Sequence, residues 1–86
     1  MGFKVIYSEA ASKQIERLDK PLQKRVLAFV DKIEASVNPR FSGKALKGND
    51  KEWRYRVGDY RLICEIKDSE LIVWIVRIGN RREVYR

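Results

Sequence analysis

The chain opens with alternation. Phe3, Val5 and Tyr7 fall on one side of an extended segment, which predicts a strand. Ser8 follows as a helix N-cap, since its hydroxyl can accept one of the free amides of a first turn, and Glu9 suits the positive end of the helix dipole. Ala11, Ile15 and Leu18 then recur at spacings of four and three and mark the buried stripe of a first helix. Asp19-Lys20-Pro21 breaks that helix and starts another, because proline needs no amide donor in a first turn. Leu22, Val26, Phe29, Val30, Ile33 and Val37 form the apolar face of the second helix, and Asn38-Pro39 ends it.

Residues 40–52 show no period and are rich in glycine and lysine, which predicts a connection. From Trp53 the period becomes two. Trp53, Tyr55 and Val57 alternate with Arg54 and Arg56, so the two arginines point to the opposite face of a strand. Gly58-Asp59 predicts a turn, Tyr60 to Ile66 a returning strand, and Lys67-Asp68-Ser69 another turn. Glu70 to Ile78 reads as a further strand, apolar on both faces around Val73, Trp74 and Ile75, which suits a central place. Gly79-Asn80 is a last turn signal before Arg81-Arg82-Glu83-Val84-Tyr85-Arg86. The expected fold class is α+β, in the order β-α-α-β-β-β: a small twisted, largely antiparallel sheet with two N-terminal helices on one face and the other face open. No repeat or linker divides residues 1–86, so a single domain is expected.

Composition sharpens this picture in three places. The formal charge is +7, which favours polyanionic partners. Residues 1–36 hold seven basic and five acidic groups, and residues 37–86 twelve and seven, so the excess sits in the second half. The one cysteine, Cys64, lies in a strand-like run and reads as a small buried hydrophobe. The chain has no histidine, which removes a Ser-His-Asp triad, histidine-ligated zinc and histidine-pair ribonuclease chemistry. No cofactor or metal site is expected. No signal peptide or membrane span is predicted, and a cytoplasmic location follows.

The remaining pattern is a set of arginines, Arg54, Arg56, Arg61, Arg81 and Arg82, with Tyr85 nearby in sequence. The Gly58-Asp59 hairpin returns Arg61 toward Val57 or Arg56, and a turn after Ile78 would bring Arg81 and Arg82 to the same region. Clustered like charges repel unless acids or anions offset them, and Glu52, Asp59 and Glu83 are the available acids. A phosphate would do the same work, since the guanidinium fork matches its oxygens. If RNA is the substrate, the simplest metal-free route uses the ribose 2′-hydroxyl as nucleophile. That route needs a base, charge stabilisation of the phosphorane, and a proton for the leaving oxygen. Arginine supplies charge but is no base. Tyr85, Lys44, Lys47, Lys51 and Glu52 are the titratable candidates, and Tyr85 beside arginines would have its phenolate favoured. Its other possible role is a platform on which a base stacks.

These residues resemble the RelE/ParE toxin superfamily of type II toxin-antitoxin systems, especially its RelE-like mRNA interferases. The resemblance runs through Leu18-Asp19-Lys20, Asn38-Pro39-Arg40 and Leu46-Lys47-Gly48. It continues with the block from Trp53 to Leu62 and closes with Val76-Arg77-Ile78-Gly79-Asn80-Arg81-Arg82-Glu83-Val84-Tyr85. It implies a ribosome-dependent endoribonuclease that cleaves mRNA in the A site without a metal. By resemblance, Arg61 and Arg81 bind the scissile phosphate and Tyr85 acts as base or stacking platform. Arg54 and Arg56 stand where relatives carry two catalytic lysines, so charge is kept and lysine proton transfer is lost. Asn80 stands where some relatives have histidine. Lys44, Lys47, Lys51 and Arg82 are the expected further RNA contacts. The implied partners are a cognate antitoxin, the 70S ribosome with message in its A site, and operator DNA bound by the toxin-antitoxin complex, with no membrane. Two other activities stay open: ParE-like inhibition of DNA gyrase, and a non-catalytic basic regulator that only docks RNA or a partner.

Overall fold

The computed structural model describes residues 2–46 and 48–80, with the side chains of residues 49 and 50 left aside. The elements run β1 (Lys4–Tyr7), α1 (Glu9–Glu16), α2 (Lys20–Ala35), a 3-10 turn (Pro39–Phe41), β2 (Lys44–Leu46), β3 (Asn49–Val57), β4 (Tyr60–Lys67), a second 3-10 turn (Asp68–Glu70) and β5 (Ile72–Asn80). All five strands join one sheet in the order β1-β5-β4-β3-β2. β1 runs parallel to β5 and every other pairing is antiparallel.

The helices form where the capping chemistry allows. Ser8 Oγ accepts from the Ala11 amide, and Pro21 sits in the first turn of α2. Val26, Val30 and Ile33 of α2 and Ala11 of α1 meet Val5, Tyr55, Val57, Leu62, Cys64, Ile66, Val73, Ile75 and Ile78 from the sheet. This core covers one sheet face, as the α+β pattern requires. The Tyr55 hydroxyl, buried under α2, donates to the Pro39 carbonyl, and its ring meets Phe29 edge-on at 5.2 Å. Burial pushes its ionisation upward, so the phenol stays a donor.

Four sequence expectations change. Residues 40–52 are more than a connection: Pro39 restarts a short 3-10 turn, β2 adds a fifth strand, and β3 starts at Asn49 rather than Trp53. α2 ends at Ala35, because Ser36 turns to extended backbone, and Val37 is left 80% exposed instead of extending the apolar face. α1 likewise stops at Glu16, so Leu18 packs on the core from beyond the helix. Gly79-Asn80 makes no turn. β5 continues through both residues, paired to Arg61 and Tyr60.

That continuation depends on a bulge. β5 carries one extra residue, Val76, between the pairs Cys64↔Ile75 and Ile63↔Arg77. Beyond the end of β1, side chains from α1 satisfy the free edge of β5. Ser8 Oγ donates to the Val76 carbonyl at 2.7 Å, and Gln14 Oε1 accepts from the Ile78 amide at 2.6 Å. The outer edge of β1 is treated similarly, with Glu34 Oε2 accepting from the Val5 amide at 3.0 Å. Pairing partners are thus supplied from within the chain at an edge that would otherwise invite another strand.

Candidate nucleic-acid interface

The β3–β4 hairpin sets the site. Val57 pairs with Tyr60 across the two-residue turn Gly58-Asp59, and Gly58 has φ +60°, as the first position of a type II′ turn demands. The register is thereby fixed, and Arg56 lies directly opposite Arg61 on the face away from the helices. Arg54 shares that face and pairs with Lys44 of β2 on one side and Ile63 of β4 on the other. Two rows cross the open face at this end: Lys44–Arg54–Ile63–Arg77, and Arg56–Arg61–Gly79.

Gly43, Lys44, Arg54, Arg56 and Arg61 line a shallow cavity of about 200 Å³. Gly43 is required at its wall: φ is +89°, and a Cβ there would stand 2.2 Å from the Arg54 carbonyl oxygen. Arg61 is the most enclosed cation, 7% exposed, with Nη1 at 3.5 Å from the Tyr60 carbonyl oxygen. Arg56 is exposed, and its Nε donates to the Gly58 carbonyl at 3.4 Å. Opposed arginines have Cβ atoms about 5 Å apart in a paired position, where like charges oppose folding. Such an arrangement is relieved by an anion seated between them, and a phosphate has the size and oxygens to accept several guanidinium hydrogen bonds at once. Gly79, with no side chain, is the β5 residue opposite Arg61.

The structure therefore brings together Arg54, Arg56, Arg61 and Lys44. It sets Lys51 elsewhere. Lys51 alternates with Arg54 and Arg56 onto the other side of β3, with its Nζ 4.0 Å from Asp68, beside the Arg40–Asp68 ion pair. Glu52 shares the open face but lies one row further from the hairpin, opposite Glu65. Lys47, Arg81, Arg82 and Tyr85 lie outside the described residues, as does Glu83. Cys64 is buried at the sheet–helix junction, and burial raises its thiol ionisation well above the ordinary value, which suits packing and not nucleophilic attack. Arg77 was missed from sequence. It stands exposed on the open face beside Ile63, and the Val76 bulge puts it there.

The chain is thus an α+β domain with an open sheet face and a basic cavity at its hairpin end. The family described as ParE toxin of type II toxin-antitoxin system, parDE, matches residues 5–85. The chain belongs to that family, within the RelE/ParE superfamily. A putative RelE-like toxin protein of Escherichia coli is 29% identical over 94% of this chain and 85% of its own length. Among solved structures, the archaeal RelE-RelB complex of Pyrococcus horikoshii superposes with TM-score 0.79 at 27% identity, covering 94% of this chain and 97% of that one. The RelBE2 toxin-antitoxin complex of Mycobacterium tuberculosis gives 0.78 at 25% identity, covering 94% and 93%. A mutant of the E. coli toxin RelE in the free state shares the fold, with TM-score 0.81 at 21% identity over 99% and 92%. Among the described residues no helix is long and apolar enough to cross a membrane.

Proposed function

We propose that this toxin is a ribosome-dependent mRNA endoribonuclease acting in the A site through metal-free attack of the ribose 2′-hydroxyl. The observation that carries the reading is the convergence of Arg54, Arg56, Arg61 and Lys44 on one phosphate-sized cavity. Three guanidiniums there hold the scissile phosphate and stabilise the dianionic phosphorane, and none acts as base. The base is Tyr85, with Lys44 next in line as the described non-arginine titratable group lining the cavity. Arg81 joins the phosphate contacts, and Lys47 and Arg82 extend the RNA surface. Lys51, on the other side of β3, contacts RNA only at the periphery.

The partner is a cognate antitoxin, by analogy with the RelB-bound relatives. It covers the open face where Ile6, Trp74 and Val76 remain exposed, brings acidic groups to the basic rows, and with the toxin binds operator DNA. A ribosomal target places the protein in the cytoplasm. Residues 1–86 act as one toxin domain.

The second reading is ParE-like inhibition of DNA gyrase, which rests on the resemblance and on the family's ParE name; in it the same arginines dock a protein or DNA surface without chemistry. Cleavage of programmed ribosomes and a gyrase supercoiling assay, run side by side on the purified toxin, separate the two. Message cut with a cyclic-phosphate end and unaffected supercoiling support the ribonuclease. Intact message with blocked supercoiling overturns it. A Tyr85→Phe variant that cleaves with an unchanged pH profile would move the base from Tyr85 to Lys44.

A further inference from the structure

A second cleft of about 310 Å³ opens on the helix side of the same hairpin, between α2 and the turn. Arg25, Lys32 and Arg56 supply its cations, with Ala28, Phe29 and Gly58 between them. Arg25 and Lys32 are seven residues apart on α2 and so lie on one helix face, two turns from each other. The side chains of Arg25 and Lys32 have no hydrogen-bond or ion-pair partner among the described residues. The Arg25 guanidinium lies over the turn, with Nη1 3.1 Å from where a Cβ on Gly58 would stand. Every polar side chain of the lining is a cation, with no carboxylate or amide to read a base edge or a peptide. Arg56 lines both this cleft and the arginine cavity. The cationic surface is therefore continuous from the open face, around the hairpin end, to α2.

We propose that this cleft is a phosphate-backbone subsite that holds the RNA strand where it continues past the candidate cleavage site. The inference rests on the ribonucleic-acid reading of the arginine cavity and extends it to the opposite side of the sheet. A nucleic-acid strand fits better than an acidic protein segment because the shared Arg56 makes the two clefts one track. Ala28 and Gly58, beside Phe29 and Val57, let a sugar-phosphate backbone approach the cations, and no hydrogen-bonding side chain other than the cations is there to select a base. The subsite therefore adds affinity without sequence preference.

The test compares a trinucleotide with a dodecanucleotide, both 2′-O-methylated against cleavage, in binding titrations over a range of salt. The proteins are the parent and the double variant Arg25→Gln, Lys32→Gln, in which both positions are exposed on a helix and glutamine keeps helix propensity. The parent is expected to bind the longer RNA more tightly and with a steeper salt dependence. The double variant is expected to bind the trinucleotide as the parent does and to lose the gain with length. Its salt slope on the longer RNA should be shallower by about 1.4, for two lost single-strand phosphate contacts. A gain that survives in the variant, or a parent with no gain, overturns the subsite. So does a variant that keeps its RNA affinity but loses affinity for an acidic antitoxin, which would give the cleft to a protein partner. The two readings fail separately. Lost length dependence in a protein that cuts no message would keep the subsite and sink the nuclease, whereas message cleavage with no length effect would do the reverse.

Discussion

The open face of the sheet has two unlike ends. At the hairpin, the rows Lys44–Arg54–Ile63–Arg77 and Arg56–Arg61–Gly79 stack cations in neighbouring positions. One row further on, the sheet reads Glu52–Glu65–Trp74–Ile6, two carboxylates and then two large apolar side chains. Trp74 is 38% exposed there, with Lys67 Nζ 4.8 Å from its ring centroid. Both ends rest on the same core, so the contrast cannot arise from folding requirements on the buried face. The basic end gathers like charges that a bound anion would relieve, whereas the other end leaves apolar area that a protein surface would cover. One sheet face thus carries two unlike surfaces in adjacent rows.

The contrast breaks most directly at Arg61. Arg61→Ala is expected to lower single-turnover cleavage on programmed ribosomes by about 100- to 1000-fold, the usual cost of deleting one donor to a developing oxyanion. Its thermal unfolding should stay cooperative, since Arg61 lies opposite Arg56 on the sheet face away from the apolar core. Unchanged cleavage would sink the phosphate assignment. At the other end, Trp74→Ala should weaken the complex with the cognate antitoxin by about 30-fold or more, as for a central aromatic anchor. Its cleavage rate on ribosomes should match the parent's. Calorimetric titration showing equal affinity would mean that the apolar row is not the antitoxin's seat.

Gln14→Leu tests how the basic end is held from behind. It leaves the Ile78 amide without an acceptor and should cost about 1–3 kcal/mol in urea unfolding. Amide exchange should then quicken at Ile78 and Gly79 rather than at Val73. The smallest effect belongs to Asp68, at the end of the sheet away from the hairpin. The bidentate Arg40 guanidinium, at 2.8 and 3.0 Å, holds the Asp68 carboxyl below its usual range. A depressed folded-state pKa stabilises fully above the unfolded-state value of about 3.9 and loses that contribution as pH falls through the lower folded-state value. Asp68→Asn should therefore lower stability at neutral pH, and the gap to the parent should close in acid. A gap independent of pH would assign the loss to packing.

Much of this was legible in the chain, for reasons that differ by region. The helices announced themselves through Ser8, Pro21 and the stripe of Val26, Val30 and Ile33, because capping and period are local properties. The hairpin that returns Arg61 toward Val57 or Arg56 was legible too, and the pairing across Gly58-Asp59 settles on Arg56. β2 was not, because three residues rich in lysine form a strand only through the partner that β3 offers. Lys51 was grouped with the arginines by composition, although strict alternation along β3 turns it away from them. Arg77 escaped for the opposite reason. Counting in twos from Val73 and Ile75 puts Arg77 on the buried side, and only pairing with β4 reveals that the count is interrupted.

That interruption works as a phase shifter. Before Val76, odd-numbered residues of β5 face the helices; after it, even-numbered ones do, so Ile78 enters the core and Arg77 and Gly79 join the arginine rows. The two halves of β5 therefore answer to separate sequence constraints. Pairing Val76 directly with Ile63 would instead impose one continuous alternation, drive the Arg77 guanidinium toward the core and lift Ile78 into the cation field. Substituting Val76 would do neither, because its side chain is exposed and it has no pairing partner on β4. The bulge, rather than the identity of residue 76, is what keeps Arg77 among the arginine rows. A one-residue slip that irons out the bulge would reprogram the open face more drastically than any point substitution within it.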